Sequence, residues 1–246
     1  MRQQAWSERA YQNGHRLLRR ARLQRVLDYR FCSILASGQP GLPPSPWDEE
    51  ALWLGEARAA QASWLAELEP ERAREFPQRW ADGLRCFAAA LRGTRAEGAL
   101  GLAPTNDQRC VGFLWVAVGP RRLAGQASGY VWELPAGSAW LFDAFVHPLV
   151  LGTYPDLARY ATLRLRAEGA SWILGQVECG NRVSRRVHHL LGGQPVGWVA
   201  SLRCGGLRLH LDRSHQAWRL RWGRAPTRLA AFLPASAPAA AERRAA

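Results

Sequence analysis

The spacing of apolar residues changes twice along this chain, and each change predicts a change of element. Residues 15–28 carry apolar side chains between arginines in the manner of a basic amphipathic helix. A short strand is expected over Arg30–Ala36, and the Gly/Pro-rich stretch Gly38–Pro44 reads as a loop. From Ser45 to Trp80, Leu52, Leu54, Ala57, Ala60, Trp64, Leu65 and Leu68 recur at three-to-four spacing, which predicts helix. Pro70 and Pro77 divide this stretch into two or three helices. Ser45 suits an N-cap, with Pro46 at the first helical position.

Beyond Leu84 the apolar residues run together instead. Leu84–Leu91 and Cys110–Val118 predict strands joined by an extended connection over Thr94–Gln108. Gly129–Leu134 and Ala139–Val146 predict a further pair around the turn Pro135–Ser138, giving an antiparallel meander. After Val146 the order becomes helix (Pro155–Glu168), strand (Ser171–Glu178), helix (Asn181–Leu191). A closing hairpin follows over Pro195–Arg203 and Leu207–Asp212. Asn181 is a good N-cap, and Gly169 and Gly192 suit helix ends. From Ser214 the periodicity fades. The stretch from Pro234 to Ala246 is Ala/Pro/Arg low complexity, expected to be disordered. This order predicts a chain that mixes α and β around a mostly antiparallel sheet.

Charge divides the 246 residues differently. The formal charge is +13. Residues 1–30 hold eight arginines against Glu8 and Asp28, net +6, and residues 213–246 hold seven against Glu242, again net +6. The middle is almost neutral, and the chain has no lysine. Three segments are therefore expected: a basic N-terminal helical arm (1–29), a single domain (30–212) and a basic C-terminal tail (213–246). Basic tails can touch nucleic acid or an anionic membrane, but no recognition motif accompanies them, which argues against nucleic acid as the partner. The 5 cysteines form no CxxC pair and argue against a disulfide framework or zinc site. A reducing compartment, the cytoplasm, is the expected setting. No apolar run approaches the ~20 residues of a membrane span.

One turn carries candidate chemistry. Between the strand 139–146 and the helix 155–168 lies His147-Pro148-Leu149-Val150-Leu151-Gly152-Thr153-Tyr154. A glycine there lets backbone approach a ligand, and the helix start offers unpaired N–H groups suited to phosphate. Taken alone this is a weak signal.

Several runs together resemble the GNAT N-acetyltransferase superfamily, over roughly Arg30–Asp212. Val111-Gly112-Phe113-Leu114-Trp115 is similar to its V-G-y-x-W strand, and Val146-His147-Pro148 to its V-x-P. Gly152-Thr153-Tyr154-Pro155-Asp156-Leu157 is similar to a G-x-Y-P-x-L helix opening, and Glu178-Cys179-Gly180-Asn181-Arg182-Val183-Ser184 to an E-x-x-N-x-x-S segment. Leu149-Val150-Leu151 stands where an Arg and a first glycine are usual, so the pyrophosphate turn is degenerate.

The resemblance implies a GNAT-like mixed, mostly antiparallel central sheet with helices on both faces. It implies a transferase moving an acyl group from acetyl-CoA, or another acyl-CoA as co-substrate, to an amine by direct attack, with no metal. The acceptor would be a small-molecule or glycan-linked amine. Phe145 and Val146 would pair with the pantetheine, Gly152, Thr153 and Tyr154 would hold the pyrophosphate, and Asn181 would hydrogen-bond the pantetheine. His188 stands where the family has an acidic tyrosine, so its imidazolium is the candidate acid. Asp143 and Glu178 are the candidate bases. A homodimer is compatible with the sequence. Two other readings stay open: a catalytically degenerate binding or scaffold protein, and a nucleic-acid-binding module using the basic tails.

Overall fold

A computed structural model describes residues 27–37, 52–91, 109–124, 130–150, 152–204, 207–214, 217–223 and 227–230. The helix expected over 15–26, the cap at Ser45, the connection 94–108 and the end of the tail lie outside them. Among the described residues, no helix is long and apolar enough to cross a membrane.

The meander forms as its apolar runs require. Strand β3 (Arg85–Leu91) pairs antiparallel with β4 (Arg109–Val118), and β4 with β7 (Ser138–Val146). Both runs are continuously apolar because both faces are covered. One face meets helix α3 (Thr153–Ala167) through Leu157, Ala158, Ala161 and Leu165. The other meets α1 (Ala62–Leu68) and α2 (Phe76–Ala81) through Leu65 and Phe76, which pack on Phe113 and Trp115. The fold is thus a mixed, mostly antiparallel sheet with helices on both faces.

Three elements differ from the sequence expectation. Leu52–Ala57, expected as helix, is strand β2, pairing antiparallel with β3 on the sheet edge. Leu52 and Leu54 pack on one side and Trp53 and Ala57 on the other, a period of two that coexists with three-to-four spacing, and pairing with β3 decides between them. Tyr130–Leu134 (β6) does not pair with β7. It pairs antiparallel with β5 (Arg121–Ala124) and parallel with β12 (Thr227–Ala230) in a separate three-stranded sheet. That sheet lies against the aromatic face, where Trp132 and Trp140 have ring centroids 4.5 Å apart. The third difference is at the tail: β11 (Ala217–Gly223) and β12 fall where the periodicity fades and no element was expected, and the boundary at 213 falls within β10 (Leu207–Ser214).

The first strand has an unexpected place. β1 (Leu27–Ser37) lies between β8 (Trp172–Glu178) and β9 (Gly193–Cys204), antiparallel to both. The central order is β11-β10-β9-β1-β8-β7-β4-β3-β2. The start of the chain therefore joins the closing hairpin to the rest of the sheet. Leu27 and Asp28, expected at the end of the helical arm, belong to this strand.

Candidate functional site

β7 and β8 form the parallel pair of the central sheet. They are hydrogen-bonded from Ser138–Trp172 to Leu141–Gly175 and no further. Beyond that register β7 runs on to Val146 and β8 to Glu178, so the two strands diverge. No described strand lies against that edge of β7 from Phe142 to Val146. An edge with unpaired backbone groups is a template for another extended chain.

A bulge at the point of divergence sets the side chains. Phe113 pairs with Phe145 and Trp115 with Phe142, so Asp143 and Ala144 together oppose Leu114. Asp143 has φ +48°, a left-handed conformation that aspartate tolerates better than most residues. The extra residue turns the Asp143 carboxylate toward the α1–α2 face, where its side chain is 5% exposed. There Arg72 donates to Oδ1 and Arg79 to Oδ2. Arg79 also donates to Glu75 Oε2 at 2.6 Å, and its guanidinium lies 5.2 Å from the Trp115 ring centroid and 5.8 Å from that of Phe142. Asp143, a candidate base, thus has both oxygens engaged by guanidinium groups. The apolar surroundings expected from its sequence neighbours contain two arginines, Arg79 buried and Arg72 partly exposed.

Between the diverging strands lies a cleft of about 240 Å³ that includes Tyr154, Gln176, Glu178, Asn181, Ser184 and His188. Helix α4 (Arg182–Leu190) delivers three of these groups. Asn181 caps it, accepting from the Ser184 N–H at 3.0 Å through Oδ1. His188, one face further along, is 4% exposed and packs on β8 at Gly175. A Cβ at Gly175 would meet the imidazole Cε1 at 3.1 Å, so the glycine makes room for the ring.

Burial, with His189 nearby, pushes His188 down to about 4. Burial thus favours the neutral ring over the imidazolium that the sequence offered as acid. Its Nε2 lies 3.2 Å from the Tyr154 hydroxyl. Tyr154 was expected at the pyrophosphate turn. Its backbone is at the start of α3, but its phenol turns into the cleft, where desolvation pushes it up to about 12. The pairing of Tyr154 with His188 across 34 residues was missed in the sequence; a tyrosine one residue past the helix start gave no sign of its direction.

The turn itself is less well equipped. Pro148–Val150 forms a 3-10 turn with Val150 buried. The Thr153 hydroxyl is buried and donates to the Val150 carbonyl at 2.9 Å. Gly152 has φ −62°, a conformation open to any residue. Pro155 lacks an N–H, and Asp156 places a carboxylate in the first turn of α3, where it competes with an anion for the helix dipole. Among the described residues, the helix start offers the N–H groups of Gly152, Thr153 and Tyr154.

No family model matches the chain and no curated protein matches it. Solved structures are similar at low identity. An aminoglycoside N-acetyltransferase, AAC(6')-Iy in complex with CoA, is 19% identical, over 57% of this chain and 90% of that one, with a TM-score of 0.39. A putative GNAT-family acetyltransferase from Novosphingobium aromaticivorans is 12% identical, over 73% of this chain and 67% of that one, at 0.46. A tandem GNAT protein from the clavulanic acid biosynthesis pathway is 17% identical, at 0.45; the match covers 73% of this chain and 55% of that one. The described sheet is mixed and mostly antiparallel. Its diverging parallel pair stands between antiparallel flanks, with α3 and α4 in the segments the sequence resemblance assigned to them.

Proposed function

We propose that this protein is an acyl-CoA-dependent N-acyltransferase, with acetyl-CoA as donor and a small-molecule or glycan-linked amine as acceptor. The observation that carries the reading is the cleft between the diverging strands, with a tyrosine–histidine pair inside it. The pantetheine arm extends along the unpaired edge of β7 at Phe145 and Val146 and exchanges main-chain hydrogen bonds there. The Val146 N–H polarises the thioester carbonyl and stabilises the oxyanion as the amine attacks. Asn181 hydrogen-bonds the arm through its amide N–H, since its oxygen caps α4. Gly152 and the first N–H groups of α3 hold the pyrophosphate.

The thiolate that leaves needs a proton. Tyr154 supplies it, with neutral His188 donating from Nε2 to the phenol oxygen and steadying the charge that develops there. His188 is then a positioning residue for Tyr154. Glu178, exposed at the end of β8 and lining the same cleft, takes the proton of the attacking ammonium. Asp143 holds Arg72 and Arg79 in place instead of acting as base. A fold kept for binding or scaffolding without chemistry is the second reading, and the poorly equipped turn at 147–153 favours it.

Titration with acetyl-CoA, together with thiol release in the presence of mixed primary amines, decides between the two. Saturable binding and amine-dependent thiol release are expected. Absence of both at millimolar acetyl-CoA sinks the enzymatic reading and leaves the scaffold.

A further inference from the structure

The last hairpin of the central sheet carries apolar side chains on a face that no described element covers. Along β10, Leu207, Leu209 and Leu211 alternate with polar residues; along β11, Leu220 and Trp222 do the same. Residues paired across strands share a side of the sheet, so the register gathers these on one face. Leu202 of β9 pairs with Leu209, and Leu209 with Trp222; Leu211 pairs with Leu220. His210 and Asp212, between them in sequence, point the other way. There each is 1% exposed, and the Tyr130 ring of the three-stranded sheet lies 4.5 Å from the His210 ring. The small sheet therefore covers one face of the hairpin and leaves the other open.

The open face is apolar and exposed. Trp222 is 87% exposed, Leu220 64%, Leu207 60% and Leu209 37%, with Leu202 and Leu211 half-buried beside them. A contiguous apolar patch of this kind marks contact with another apolar surface.

We propose that this face seats the protein on an anionic lipid surface, with Trp222 and Leu220 entering the boundary between headgroups and acyl chains. The inference does not depend on the acyltransferase reading. Two features carry it.

The first is the kind of side chain. Tryptophan favours the membrane–water interface, where its ring is buried and its N–H stays wet, and leucines beside it gain from the acyl boundary. Both stand on β11, the edge strand of the sheet, so a flat surface reaches them without displacing a neighbouring strand.

The second is charge. Residues 207–223 hold four arginines against Asp212, and that carboxylate is buried with Arg221 Nε 4.0 Å away. Arg219 is exposed on the edge strand, next in sequence to Leu220. Its long stem lets the guanidinium reach a lipid phosphate around the edge while the leucine enters the apolar layer. The whole chain carries +13. A second copy would bring the same sign to this face, whereas phosphate headgroups bring the opposite one. A nucleic acid brings phosphates too, but no apolar interior for Leu207, Leu209 and Leu220.

Co-flotation of the whole chain tests this with two kinds of vesicle: phosphatidylcholine alone, and phosphatidylcholine with about one-third phosphatidylglycerol. Partitioning onto the anionic vesicles is expected to exceed that onto the neutral ones about tenfold or more near ~0.1 M salt, and to weaken as salt is added. W222S is expected to lower it about tenfold, the loss of one buried apolar side chain. R219Q is expected to lower it about fivefold. Both residues are exposed and neither lines the cleft, so the melting temperature and acetyl-CoA titration are expected to hold in both variants. Absence of vesicle binding, equal binding to both vesicle types, or binding unchanged in W222S overturns the inference. So does a doubled mass in light scattering that W222S abolishes, which gives the face to a second copy. Retention on polyuridine that W222S abolishes, without vesicle binding, gives it to nucleic acid.

Discussion

The two ends of the cleft between β7 and β8 are built to different standards. At the inner end, Tyr154, His188 and Asn181 sit on two helices, with the tyrosine hydroxyl 3.2 Å from a buried imidazole and a glycine on β8 giving the ring its space. At the outer end, the turn 147–153 offers few donors: a proline within the first helical turn, a threonine hydroxyl already bonded to Val150, and an acidic side chain nearby. In a transfer enzyme the inner end determines rate and the outer end determines how firmly the donor is held. On the proposed function, the inner end would be better equipped for the chemistry than the outer end for holding the donor. Affinity for the donor would rest on the β7 edge and Asn181 more than on phosphate contacts.

The sharpest way to break this contrast is at Tyr154. Y154F is expected to lower kcat by about 10²–10⁴-fold, the usual range for loss of a general acid, with acetyl-CoA affinity unchanged within a factor of about two. Steady-state kinetics alongside titration would measure both. A parallel loss of affinity would place the phenol in donor binding instead.

The next effect is on stability. His188 has its folded value depressed to about 4 against an ordinary 6.5, so the unfolded chain binds the extra proton first as pH falls. Its stabilising contribution is complete above pH ~6.5 and is lost progressively down to pH ~4. The full loss is about 3 kcal/mol. Thermal melts between pH 7 and 4 should show this decline, and H188F should flatten that part of the curve. An equal slope in H188F would mean that other groups carry the dependence.

Smaller is the effect at the cap. N181A is expected to cost about 1 kcal/mol of stability through the exposed start of α4. It should also raise the KM for acetyl-CoA severalfold, which distinguishes a cap that also contacts the donor from a cap alone.

The smallest tests the outer end. Leu149 is 66% exposed in the turn. L149R adds a guanidinium beside the helix start, and donor affinity is expected to rise by about two- to fivefold at low salt, with the gain fading as salt is added. An arginine that changes nothing would mean the phosphates lie elsewhere.

Much of the fold was legible from local pattern. The strands β3, β4, β7 and β8 and the helices α3 and α4 fall where apolar runs, periodicity and the Asn181 cap placed them, because each is specified by its own residues and covered on the expected face. Leu52–Ala57 was misread because six residues with two compatible periods cannot choose between helix and edge strand without a neighbour. Of the candidate positions legible in the sequence, Asp143, Tyr154, Glu178, Asn181 and His188 line one cleft, while Phe145, Val146, Gly152 and Thr153 are not among its lining residues. The chemical states of these residues were not legible.

Those states depend on distant contacts. Asp143 has its partners 71 and 64 residues away, and only the bulge opposite Leu114 turns it toward them. The neutrality of His188 follows from burial against Gly175, and the direction of the Tyr154 phenol from the space that burial leaves beside it. The sequence by itself determined the order of elements, the caps and the composition of the turn, since these are local matters of period and backbone preference. Only the tertiary structure decided that residues 27–37 complete the sheet beside β8 and which charged groups meet. Protonation and pairing are set by desolvation and by neighbours in space, and neighbours in space are not neighbours along the chain.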